Sequence, residues 1–107
     1  MSITLQRVQE LAARGDVRIS EHAYDELIAD GLFATELISN VSNAIVVEDY
    51  PSFGKGPCVL VLERNNNGEA IHAVWGIPKN ADSPAVLVTA YRPDPDRWSQ
   101  EFTTRKP

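Results

Sequence analysis

Apolar residues recur at helical spacing through the first forty positions, and then the period changes to extended. Leu5, Val8, Leu11 and Ala12 fall on one helical face, with Ser2 or Thr4 placed to cap the first turn. Gly15 ends that helix, because glycine takes the left-handed conformation a helix needs just past its last turn. Val17-Arg18-Ile19 reads as a short extended link or edge strand. Ser20 is an N-cap for a second helix over 21–30, stopped by Gly31, and Glu21 suits the positive end of its dipole. The spacing predicts Ala23, Tyr24, Leu27 and Ile28 as its core stripe. Thr35 opens a third, shorter helix that carries Leu37, Ile38 and Val41 on one face.

Segments 44–50, 57–64, 69–77 and 85–91 are rich in Val, Ile and Leu and read as strands. Asn65-Asn66-Asn67-Gly68 is a hairpin signal, since Asn and Gly tolerate positive φ. Residues 78–84 form a longer loop, and Pro93-Asp94-Pro95 stops the last strand. The expectation is an α+β fold: two to three N-terminal helices packed on one face of a four-stranded antiparallel sheet. A turn of two or four residues puts Glu63 and His72 on one side of the sheet, the more open one. Leu60, Leu62, Ile71, Ala73 and Trp75 then lie beneath the helices. A three-residue turn reverses that pairing.

A chain of 107 residues makes one domain, 1–107, with enough surface to bury a core without a disulfide or metal staple. The single cysteine, Cys58, lies in an apolar run and reads as packing like a small hydrophobe. A reducing, cytoplasmic setting is the expectation, and no segment is apolar enough for a signal peptide or a membrane span. The net charge of −5 argues against a generic nucleic-acid binder. Its distribution sharpens the point: residues 1–50 hold nine acids and three bases, and residues 51–107 hold six acids and seven bases. An anion such as RNA is repelled by the first half and tolerated by the second.

His22 and Glu26 stand one helical turn apart and share a face. His72 is the other histidine, and the plainest reading of each is an imidazole satisfied by a neighbouring carboxylate or carbonyl. Tyr91 and Arg92 end the last strand, where they can hold an anion or anchor the turn towards Trp98. Trp75 and Trp98 read as core and tail-docking residues. A metal held by His22, Glu26 and His72 is a weaker alternative, for no dense ligand cluster accompanies them. There is no glycine-rich phosphate loop and no nucleophile elbow.

Taken together, Ser20-Glu21-His22-Ala23, Gly31-Leu32, Val47-Glu48-Asp49-Tyr50-Pro51, Ile71-His72-Ala73-Val74 and Val88-Thr89-Ala90-Tyr91-Arg92-Pro93-Asp94 with Trp98 resemble domain of unknown function 4258. That family is similar in outline to RelE-like and MqsR-like bacterial toxins. The resemblance implies a RelE-like fold and a metal-independent ribonuclease without a cofactor, restrained by a zinc-finger or helix-turn-helix antitoxin. It implies His22 and His72 as acid and base, with Glu26 beside His22. Lys55, Tyr91 and Arg92 are the available phosphate partners. Many relatives carry arginine where Glu26 and Asp30 stand here. The second reading is therefore a non-catalytic protein-interaction module on the same fold.

Overall fold

The structure, a computed structural model, describes residues 2–107. Helix α1, Ile3–Ala13, starts where the Ser2 hydroxyl accepts a hydrogen bond from the Leu5 amide at 3.0 Å. Gly15 follows its end at φ +74°. Strand β1 is Val17–Ile19, and helix α2 spans Glu21–Asp30. Ser20 works at both ends of that joint. Its hydroxyl caps the Ala23 amide at 3.0 Å and donates to the Val88 carbonyl at 2.8 Å, tying the helix start to the sheet. Helix α3, Ala34–Asn40, runs into a short 3-10 turn, and strands β2 Ile45–Tyr50, β3 Cys58–Arg64, β4 Ala70–Gly76 and β5 Ala85–Tyr91 complete the chain.

The α+β class and the helical half match expectation, whereas the sheet corrects it. It is five-stranded and mixed, in the order β1-β5-β4-β3-β2. The link at Val17-Arg18-Ile19 is the added strand, paired parallel to β5 with Val17 opposite Ala85 and Ile19 opposite Leu87. Three residues are too few for a strand period to show in sequence. The long crossover through α2, α3 and the other strands supplies what parallel pairing needs.

The α2 stripe is also narrower than its periodicity indicates. Ala23 and Leu27 are buried, but Tyr24 and Ile28 are 53 % and 78 % exposed. The cause is placement: α2 packs chiefly along β5, so only one narrow face is covered.

The β3–β4 hairpin decides which side chains face the helices. Asn65 and Glu69 bond through their backbones at 3.1 Å, which leaves three residues in the turn, with Gly68 at φ +79°. The Asn65 carboxamide oxygen accepts from the Asn67 and Glu69 amides at 3.1 and 2.9 Å. This odd-numbered turn places Leu62 opposite His72 and Glu63 opposite Ile71. Glu63 and His72 therefore face opposite sides of the sheet, contrary to the even-turn expectation. Val59, Val61, Ile71, Ala73 and Trp75 meet Leu5, Val8, Leu11, Ala23, Leu27 and Leu37 in the core. Glu63 lies on that same side, and Leu60 and Leu62 turn away from it.

Glu63 is thus a carboxyl group in an apolar interior, 1 % exposed. Its Oε2 accepts from the Trp75 indole N–H at 2.8 Å, and Oε1 has no hydrogen-bond partner among the described residues. Burial raises its pKa to about 8, and the Trp75 bond offsets only part of the rise. Between the ordinary value of 4.5 and about 8, the folded chain keeps a proton that the unfolded chain has released. Stability therefore falls as pH rises through that window, by up to about 1.4 kcal/mol per pH unit from this group. Glu63→Gln keeps the acceptor for Trp75 and removes the titration. Urea midpoints of the two proteins should be close near pH 4 and diverge steadily towards pH 8, with the glutamine variant the more stable. Parallel pH profiles would refute the buried proton.

Candidate functional site

The helix-free face of the sheet has two halves, one covered and one open. Over the covered half, residues 98–105 fold back as a strap closed by a backbone bridge between Trp98 and Arg105. Trp98 is 4 % exposed and lies edge-on to the His72 ring, with centroids 4.4 Å apart. Arg105 stacks its guanidinium 4.7 Å from the centre of Trp98. The same guanidinium forks onto Glu48, Nε to Oε2 at 2.9 Å and Nη2 to Oε1 at 3.1 Å. Glu48 also accepts from the Tyr50 hydroxyl at 2.6 Å. A bulge at Val47 brings this about. Val46 pairs with Val61 on the helix side, yet Glu48, two residues on, pairs with Leu60 on the other.

His72 lies beneath the strap with no exposed surface. Its Nε2 is 2.7 Å from the Phe102 carbonyl oxygen, which can only accept, so Nε2 carries the proton. Nδ1 is then the acceptor for the Tyr91 hydroxyl at 3.3 Å. Burial lowers the His72 pKa from its ordinary 6.5, against the opposing pull of the Phe102 carbonyl. Near neutral pH the ring is therefore neutral and both nitrogens are occupied. Burial also raises the Tyr91 hydroxyl, which keeps its proton.

The other sequence candidates lie elsewhere. His22 sits in the first turn of α2, its side chain 65 % exposed, with Nε2 3.9 Å from Glu26 Oε1. That pair shares a helix face, as its spacing requires. Arg92 is bound within the fold. Its guanidinium meets Glu69 at 3.0 Å and donates to the Asp30 carbonyl oxygen at 3.2 Å, while its amide donates to the Asp30 carboxylate at 3.0 Å. The acid at Asp30 thus anchors the end of α2 to the end of β5. Bonds from Asn65 and Arg92 hold the Glu69 carboxyl below its usual range. Lys55 is on the exposed β2–β3 loop and borders a different depression from Arg92. Of the six candidates, His22 joins Glu26 and His72 joins Tyr91; Lys55 and Arg92 border neither pair. Among the described residues, no three His, Cys, Asp or Glu side chains converge as metal ligands.

Sequence reasoning missed the Glu48–Arg105 latch, the Phe102 carbonyl and Arg18 at the edge of the open half. Trp98 was the one signal for the strap, as a tail-docking aromatic.

The fold and its covered sheet face define a small α+β domain with a mixed five-stranded sheet. The family described as Domain of unknown function (DUF4258) matches residues 19–92, and the chain belongs to that family. The strap and α1 fall outside the matched span. No curated protein and no solved structure matches the chain. Among the described residues, no helix is long and apolar enough to cross a membrane.

Two titrations hold the strap. The Arg105 and Tyr50 bonds depress the Glu48 pKa, so the latch contributes stability above the usual carboxylate range and loses it as pH falls through the depressed value. His72, depressed by burial, resists protonation when folded, and that stability is lost as pH falls below 6.5. Both act in one direction: acid loosens the strap. Trp98→Ala should destabilise by roughly 3–5 kcal/mol in urea unfolding. It should also return the His72 titration, followed by NMR, towards 6.5. The milder Arg105→Gln should shift it in the same sense. An unchanged titration in both variants would mean that the strap is not what shields the ring.

Proposed function

We propose that this domain is a protein-interaction module that keeps a toxin-like fold without ribonuclease chemistry. The observation that carries the reading is the state of His72, enclosed, neutral and bonded at both ring nitrogens. Transfer of a proton to or from RNA needs an imidazole with a free nitrogen within hydrogen-bond reach of the substrate. His22, on an open helix surface, faces Glu26 and not a second imidazole. Arg92, the cation nearest a phosphate-binding role, already has its charge matched by Glu69.

A binding surface is at hand on α2. Tyr24 and Ile28, one turn apart, are large, apolar and exposed on a helix that also carries Glu21, Asp25, Glu26 and Asp30. An apolar pair among carboxylates suits a partner segment that is basic with an apolar face. An antitoxin of the zinc-finger or helix-turn-helix kind, presenting a basic segment of this type, is the partner we propose for this surface.

The test uses cells expressing the wild type, His22→Ala and the double variant Tyr24→Ala/Ile28→Asp, with RNA integrity, growth and binding of the protein encoded next to this one as readouts. RNA stays intact and growth continues with the wild type. The α2 double variant lowers partner affinity by about tenfold or more, equivalent to about 1.4 kcal/mol, while His22→Ala leaves it unchanged. RNA cut by the wild type and spared by His22→Ala would overturn the proposal.

A further inference from the structure

The open half of the helix-free face has a form that protein binding through α2 does not use. It is a groove of about 360 Å³, within the size range of small-molecule sites. Val74, Gly76, Val86 and Val88 make its floor, and Phe53, 53 % exposed, makes one wall. Gly76 keeps the floor low: a Cβ there would stand 3.2 Å from the Pro57 carbonyl oxygen and 3.4 Å from the Cys58 Cβ. The bulge in β5 adds Val88, whose side chain is left partly in solvent.

Two cations border this apolar surface from opposite sides, Arg18 on β1 and Lys55 on the β2–β3 loop. Arg18 pairs with Val86 across the sheet edge, and both line the groove. Neither cation has an ion pair among the described residues. Among the described residues no acid lines the groove itself, in a chain whose net charge is −5, and the carboxylate of Asp49 is felt only at Cys58. Two unmatched cations over an apolar floor complement one anionic head on one apolar body. Two positive charges are too few to follow a polynucleotide backbone. A purely hydrocarbon ligand leaves both cations without a partner, and an amine is repelled. The planar guanidinium of Arg18 can hold the two oxygens of a carboxylate side by side, and a singly charged head suits the small number of cations here better than a phosphate does.

We propose that this groove binds a small amphipathic carboxylate, a medium-chain acyl or aryl acid, with its head on Arg18 at the sheet edge, its body on Val74, Val86 and Val88, and Lys55 adding positive potential from the far wall. The site stands apart from the α2 surface and from the strap, so its occupancy does not depend on the protein-binding reading.

Cys58 is the only cysteine and lines the groove, so the chain carries its own reporter. Octanoate is the probe, with octanol and octylamine as controls of equal chain length. Protection of Cys58 from a neutral maleimide is followed at alkaline pH, because burial raises the thiol pKa. Octanoate should protect, and octanol should need about tenfold more to do so, since it lacks the charge. Arg18→Gln/Lys55→Gln, both at exposed positions, should raise the octanoate concentration for half-protection by about tenfold while leaving the circular dichroism spectrum unchanged. Val88→Glu, which puts a carboxylate on the floor, should abolish protection. The proposal is overturned if octanoate gives no protection, if octanol protects equally well, or if the double variant responds like the wild type. Protection by octylamine equal to that by octanoate would overturn it too.

Discussion

The parity of one turn governs this structure. The side-chain period of a strand is two, so adding one residue to the β3–β4 turn exchanges the faces of every pair beyond it. With three residues in the turn, held by the Asn65 carboxamide and the positive φ of Gly68, Glu63 enters the helix-covered core and His72 the opposite face. Neither has an aqueous environment there. The chain meets the two demands differently. Glu63 is kept protonated against the Trp75 indole, and His72 is given a lid of its own.

That lid joins parts of the chain far apart in sequence. Arg105 reaches Glu48 across 57 positions, and the Phe102 carbonyl reaches His72 across 30. The arrangement needs the bulge at Val47 to aim Glu48 at the strap. Without it, Glu48 shares a face with Val46, on the helix side. A local irregularity in an edge strand thus determines whether a remote imidazole is wet or dry. Chemistry at His72 depends on that environment more than on its being a histidine.

Much of the architecture was legible because it rests on local rules. Ser2 and Ser20 as caps, Gly15 and Gly31 as stops, and the four longer strands all follow from short-range periodicity and turn chemistry. What escaped was non-local. Pairing of β1 with β5 depends on the opposite end of the chain, the exposure of Tyr24 and Ile28 on how α2 lies along one strand, and the burial of His72 on a tail 30 residues later. The candidate residues are a case of the same limit. The i,i+4 spacing of His22 and Glu26 was readable, since a helix makes it so. Whether His22 and His72 meet was not, for no local rule links them. Asp30 is instructive: its charge looked like the loss of a phosphate contact, and it holds the amide of Arg92.

The bulge at Val47 has one more effect, at the rim of the sheet. β2 is the outermost strand on its side, with a row of backbone donors and acceptors that no neighbouring strand fills. Such a border invites another chain to add itself. Here the extra residue breaks the regular ladder, Asp49 sets a charge along the same stretch, and Glu48 is already taken up by Arg105 of the tail. An incoming strand would meet misaligned hydrogen-bond groups, an anionic side chain and the latched tail together. The irregularity that fastens the tail also leaves this border a poor template for edge-to-edge aggregation.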